Sequence, residues 1–214
     1  MCFTKLKLLL LAIETKCEEA ILPAVNGNLA ILKGHTRLVS ILKTGLFREK
    51  TEKGWIPIII SGGGVLYSEA EQELSQFAKK HNIPVTSTVM GIGCMTKDDP
   101  YYISTIGALG QGSSNNLSKD TDLALAIGTK LADFTTGSWA NFENPDFKLI
   151  SVNTARFDTT KHLATPVISD AKVGLQQISE ALGDWKAPDP WYQRAIKERD
   201  EWDTYVQKHS GPTN

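Results

Sequence analysis

The sequence predicts an α/β domain built on a parallel sheet covered by helices on both faces. Three observations carry that expectation. Short apolar, largely β-branched runs recur at residues 58–60, 83–87, 123–127, 148–152 and 166–168. Helical patterns stand between and after them, at residues 68–80, 115–119 and 170–182. Glycine loops close three of the runs, as SGGG at 61–64, GIG at 91–93 and GT at 128–129. Strands alternating with helices bury a parallel sheet on both sides and connect through right-handed crossovers.

Each element has a local reason. Residues 58–60 are three isoleucines between Pro57 and glycine, a buried strand with a defined start and stop. Leu74, Phe77 and Ala78 form the apolar stripe of the helix at 68–80, and Ser68 with Glu71 and Gln72 offers N-cap chemistry. In the helix at 170–182, Val173, Leu175, Ile178 and Leu182 are apolar, Asp170 is the expected cap and Gly183 the stop.

Length and charge narrow the function classes. The 214 residues leave room for one α/β domain plus extensions, and 41% hydrophobic content is enough for a real core. A formal net charge of −1 and the lack of a basic run give no reason to expect nucleic acid or a membrane surface. Cys2, Cys17 and Cys94 form no CxxC pair, so neither a disulfide frame nor a zinc site is expected, and Cys94 reads as an inert buried thiol rather than a nucleophile. His35, His81, His162 and His209 show no metal-binding spacing, and neither a Walker loop nor a GxSxG elbow occurs. The N-terminal apolar run, residues 8–13, is too short for a signal peptide or a membrane span and reads as a short helix. A cytoplasmic protein is the expectation. Leu38, Ile41, Leu42 and Leu46 fit one face of a further helix, which makes residues 1–55 a helical N-terminal segment rather than a full domain.

The C-terminal tail is separate in character. Residues 184–214 begin as a proline-bearing linker and continue as a charged helix with tryptophans at 185, 191 and 202. Such indoles are expected to dock on the α/β body or on a partner.

The glycine loops are the candidate ligand crevice: Gly62, Gly63, Gly64, Gly91, Gly93, Gly128 and Thr129. Strand carboxyl ends are where open α/β sheets hold ligands. Gly62 and Gly64 fit the first two positions of a G-x-G-x-x-G fingerprint, but Tyr67 takes the third. Residues 84–88, PVTST, offer no acid for a ribose hydroxyl, so a dinucleotide site of that kind is disfavoured. Glycines here also serve a tight turn with no ligand. No acid/base or nucleophile constellation accompanies the loops, and no catalytic residue or metal ligand is assigned.

Three stretches together carry a family resemblance. PIIISGGGVLYSEAEQELSQFAKKHNIPVTSTVMGIGCM (57–95), TDLALAIGTKLADFTTGSW (121–139) and FKLISVNTARFDTTKHLATPVISDAKVGLQQISEALGDW (147–185) resemble the central domain of thiamine-diphosphate-dependent enzymes. Within that family they are most similar to the ring-opening hydrolases of myo-inositol breakdown. The most specific pieces are DFTTGSW and the run with Phe157, Asp158, Lys161 and His162. The resemblance covers about residues 56 to 208, with residues 56–183 as the domain proper. It implies a Rossmann-like three-layer sandwich on a mostly parallel six-stranded sheet, which in some relatives holds FAD or ADP.

The resemblance also implies partners. In the family, thiamine diphosphate and magnesium are held by separate pyrimidine- and pyrophosphate-binding domains, the latter through a Gly-Asp-Gly motif and a later Asn. There the cofactor's carbanion attacks a ring carbonyl and the adjacent C–C bond is cleaved. This chain has no Gly-Asp-Gly, and residues 1–55 are too short for the pyrimidine domain. Ile92, Asp99 and Lys130 stand where relatives often carry lysine, histidine and arginine. The expectation is therefore a fragment or split-gene product, inactive alone, that works with companion domains and forms a homo-oligomer when complete. Two other readings stand beside it: a stand-alone FAD- or ADP-binding module, and a structural or assembly domain that docks through its tryptophan tail.

Overall fold

The computed structural model describes residues 4–8, 13–17, 19–24, 27–32 and 48–50 as backbone strands, and residues 54–211 in full. The chain divides into two compact units, Met1–Trp55 and Ile56–Asn214.

The first unit overturns the helical expectation. Its described residues are strands: β1 (Thr4–Leu8), β2 (Ile13–Cys17), β3 (Glu19–Ala24), β4 (Gly27–Leu32) and β5 (Arg48–Lys50). β1 and β2 form an antiparallel pair, and β3 lies between β4 and β5, antiparallel to both. A short apolar run such as 8–13 does not distinguish helix from strand. The helix proposed on Leu38, Ile41, Leu42 and Leu46 lies outside the described residues.

The second unit is a six-stranded, all-parallel sheet. Its strands are β6 (Pro57–Ser61), β7 (Val85–Ser87), β8 (Tyr102–Thr105), β9 (Leu123–Ile127), β10 (Lys148–Asn153) and β11 (Thr165–Ile168). Their spatial order is β11-β10-β9-β6-β7-β8. The strand sequence therefore reverses direction across the sheet between β6 and β9, where Ile59 pairs with Leu125 and Ser61 with Ile127. The helices are α1 (Gly63–Tyr67), α2 (Glu71–His81), α3 (Gly112–Asp120), α4 (Asp133–Thr136), α5 (Arg156–Thr159), α6 (Ala171–Leu182) and α7 (Asp189–His209).

The period-two alternation of strand side chains divides the core in two. Ile59, Val85, Leu125 and Val152 point to one face, where Leu74, Phe77 and Ala78 of α2 and Leu175 of α6 cover them. Ile58, Ile60, Ala124, Ala126 and Leu149 point to the other, covered by Leu117 of α3 and by Trp191 and Ala195 of α7. This is the three-layer sandwich expected from the sequence.

The tail docks as part of the second layer of helices. The Trp191 indole is buried and its Nε1–H donates to the Pro57 carbonyl at 2.8 Å. His81 and Asn82 clasp the linker that leads to it. Nδ1 of His81 lies 2.7 Å from the Trp185 carbonyl, the Ala187 amide donates to the His81 carbonyl at 2.8 Å, and Asn82 donates to the Ala187 carbonyl and the Asp189 carboxylate. No helix among the described residues is long and apolar enough to cross a membrane.

Candidate functional site

The carboxyl ends of the six strands gather the glycine loops. The loop after β6 (Gly62 to Gly64) lies between the loop after β9 (Gly128, Thr129) and the turn after β7 that contains Gly91. The Gly62 amide donates to the Ile127 carbonyl at 2.8 Å, and the Gly64 amide donates to the Gly128 carbonyl at 2.9 Å. A methyl group on Gly62 would lie 2.4 Å from the Gly128 oxygen, and one on Gly91 would lie 2.3 Å from the Ser61 oxygen. These glycines are required because backbone passes against backbone on both sides of the loop after β6, Gly62 toward the loop after β9 and Gly91 from the turn after β7.

Six of the seven crevice residues are thus brought together, and Gly93 is not. Gly93 is exposed, with a φ of +101° and nothing near its α-carbon face. Thr129 is buried, and its hydroxyl accepts from the Leu131 amide while its carbonyl accepts from Asn153. The Gly64 amide, which a phosphate at the start of α1 would use, is already engaged by Gly128. α1 itself is only 5 residues long.

The two motif stretches singled out in the sequence meet at the same edge. The Trp139 and His162 rings lie 4.6 Å apart, centroid to centroid, and Lys161 is ion-paired with Asp158 at 2.7 Å and sits over the Phe157 ring. Leu131, Ser138, Trp139, His162 and Leu163 all have positive φ. Such backbone is held only when its surroundings over-determine it. Asn115 supplies part of that restraint. Its side chain both accepts from the Gly107 amide and donates to the Gly107 carbonyl, and it also receives the Asn141 amide group at 3.2 Å. The Ala108 amide in turn donates to the Phe134 carbonyl at 2.7 Å. Asn115 had no local sequence signal, since its side-chain partners, Gly107 and Asn141, lie in two other segments.

The titratable groups near the crevice do not form a reaction centre. Cys94 is buried and its thiol is pushed above its ordinary range by that burial, with its sulfur 2.8 Å from the Ser61 hydroxyl. Asp99 accepts from Ser75 and from the Tyr101 amide, a turn-making role, and Lys130 is exposed. Among the described residues no three His, Cys, Asp or Glu side chains converge on a metal position. A separate open cleft of about 540 Å³ lies at the opposite edge of the sheet, lined by Asp120, Glu143, Asn144, Arg194 and Glu198 among others. Its charges compensate one another through Arg194 with Asp120 and Glu198, and Lys119 with Glu143.

A family profile described as the thiamine pyrophosphate enzyme central domain matches residues 53–178. A second, described as the β-sandwich domain of the ATP synthase delta/epsilon chain, matches residues 11–72. Among curated proteins, the 3D-(3,5/4)-trihydroxycyclohexane-1,2-dione hydrolase of Clostridium botulinum is 41% identical over 126 residues, covering 59% of this chain and 20% of that protein. The enzyme of the same name from Clostridium tetani is 37% identical over 152 residues, covering 71% and 24%. That from Geobacillus thermodenitrificans is 39% identical over 129 residues, covering 60% and 20%. The chain spans about a fifth of the length of the curated relatives it matches.

Proposed function

Because the chain belongs to the thiamine pyrophosphate enzyme central-domain family, we propose that it supplies the central domain of a thiamine-diphosphate-dependent hydrolase. That enzyme opens the ring of trihydroxycyclohexane-1,2-dione, works in the cytoplasm, and is inactive when reduced to this chain. The observation that supports this reading most is the length relation: relatives named for that reaction match at 34–41% identity, yet the match occupies about a fifth of each. The rest of the reaction machinery is then carried by companion domains, and the complete enzyme is a homo-oligomer.

On this reading the cofactor is held by the companion domains, where a magnesium-bound diphosphate would find its oxygen ligands. The Gly-Asp-Gly motif is absent from the sequence. Titration calorimetry of the chain with thiamine diphosphate and magnesium is expected to give no saturable heat. Saturable, magnesium-dependent binding at micromolar levels would overturn the assignment of the cofactor to companion domains.

A second reading, an FAD- or ADP-binding module, is favoured by one observation. The strand order reverses between β6 and β9, where α/β sheets of this kind hold nucleotides. On that reading the ligand lies over Gly62, Gly63, Gly64, Gly91, Gly93, Gly128 and Thr129. The engagement of the Gly64 amide by Gly128 weighs against it, because phosphate would have to part the two loops. A flavin spectrum in the purified chain, or ADP bound against these loops in a soaked crystal, would promote it to first place.

A further inference from the structure

The carboxyl edge of the sheet carries a rim of large apolar side chains that the α/β unit leaves uncovered. Met90 and Ile92 follow β7, Leu109 follows β8, Phe134 follows β9, and Phe157 and Leu163 follow β10. Their exposure runs from 58% for Ile92 to complete for Leu163. Most of the large apolar side chains exposed among the described residues belong to these four loops. An aromatic side chain carries about 150–250 Å². Phe134 and Phe157, at 68% and 75% exposed, therefore present a substantial part of the few hundred Å² that a monomer's largest apolar patch ordinarily reaches.

Part of the rim is tied to its surroundings. Phe134 follows Leu131 and precedes Ser138, both at positive φ, and its carbonyl is held by the Ala108 amide, one residue from Leu109. Leu163 itself has a φ of +57°. Asn115 and Asn141 tie the loop after β8 to the segment after α4. Apolar groups fixed outward by strained, hydrogen-bonded backbone are pre-organised for a contact, which lowers the ordering cost of making it. Two of the charges beside Phe157 are paired with each other, Asp158 with Lys161 at 2.7 Å.

We infer that this rim is the docking face for the catalytic companion domains of the enzyme. The inference rests on the function proposed above and adds to it the surface used. The occupant follows from the length relation: the curated relatives hold about four-fifths of their residues outside the matched stretch, and the uncovered apolar rim is the complement such a remainder would bury. The opposite edge of the sheet, with its compensated polar cleft, lacks that character.

The test co-expresses the full chain with the Clostridium botulinum hydrolase from which the matched 126-residue stretch has been removed, and reads the assembly by size-exclusion chromatography with light scattering. A complex is expected with the unaltered chain. Phe134→Lys and Phe157→Ser are expected to weaken it at least tenfold, with their thermal unfolding little changed because both side chains are exposed. Tyr205→Lys, exposed on α7, is expected to bind as the unaltered chain does. A complex that the rim variants leave intact overturns the docking face but not the proposed function. Absence of a complex with a soluble, folded remainder overturns both. Self-association of the chain that the rim variants abolish assigns the face to a second copy and overturns the inference. Should the gapped hydrolase be insoluble, residues 56–211 are placed in the gap of the intact relative. Hydrolase activity that falls at least tenfold with the rim variants then supports the inference, and activity indifferent to them overturns it.

Discussion

Gly64 and Gly128 hold the two central glycine loops in backbone contact: a methyl group on Gly64 would lie 2.5 Å from the Gly128 α-carbon, and one on Gly128 would lie 2.6 Å from the Gly64 α-carbon. No rotamer relieves such a clash, since the added atom is Cβ itself. Gly64→Ala is expected to destabilise the α/β unit by about 2–3 kcal/mol, the upper range for overpacking. Gly93→Ala meets no neighbour and bears only the strain of a positive φ, about 1–2 kcal/mol. Urea titration of both variants checks the order. Equal losses would mean that the loops separate readily and that the crevice is open to ligand.

His81 makes stability depend on pH. Burial lowers its pKa, and Lys80 and Lys186 act in the same direction, whereas the Trp185 carbonyl raises it. The neutral ring, with Nδ1–H donating to Trp185 and Nε2 accepting from the Ser179 hydroxyl at 3.0 Å, is the form the fold holds. A histidine lowered below its unfolded value of about 6.5 takes up its proton more readily in the unfolded chain. Its contribution is therefore fully present above about pH 6.5 and is lost as pH falls through the lowered folded value. Melting temperature is expected to fall between pH 7.5 and pH 5. In His81→Gln the melting temperature at pH 7.5 should be lower and the pH dependence flatter. A variant as steep as the parent would remove His81 from that role.

The tryptophans of the tail are not equivalent. Trp191 donates to Pro57 at the start of the central strand, so Trp191→Phe leaves a buried carbonyl unpaired and should cost about 1–3 kcal/mol. Trp202 packs on Gly112 with its ring nitrogen buried and unpartnered. Trp202→Phe removes that unsatisfied donor and is expected to change stability by less than about 1 kcal/mol, with either sign. Denaturant midpoints of the two single variants decide the matter. Removal of residues 186–214 should lower the melting temperature more than either. A truncated chain that melts with the parent would show that α7 contributes nothing to the body it lies on.

Cys94 should resist alkylation while the protein is folded. Its thiol is buried and its pKa raised, so little thiolate is present near neutrality. Iodoacetamide at pH 7.5, followed by peptide mapping at residue 94, is expected to label it only after denaturation. Labelling of the native protein at the rate of a free thiol would revive the nucleophile reading.

The buried strands were the legible part of this fold. Residues 58–60 and 123–127 announced themselves because strands covered on both faces are apolar at every position. Asp170 announced its helix, and its side chain does cap α6 through the Lys172 amide. Ser68 misled. It carries cap chemistry three residues before Glu71, but its hydroxyl donates to Asp170 at 2.6 Å, and α2 begins only after Ala70. A local cap and a bond across 102 residues look identical in sequence. The strand Tyr102–Thr105 was missed because its tyrosine and serine positions dilute the apolar signal. At the proposed crevice the residues other than Gly93 lie close together. That Gly62, Gly64 and Gly128 press against each other depends on which strands lie side by side, and no motif spacing encodes that order.

The central position of β6 fixes where this gene can be cut or joined. Residues 53–72 fall within both family profiles, yet Pro57–Ser61 pairs on one edge with β9 and on the other with β7. A recombination point before Trp55 hands over the α/β sheet whole. One inside the next six residues would deliver two half-sheets, β8-β7 and β9-β10-β11, each with a bare inner edge and no strand to bridge them.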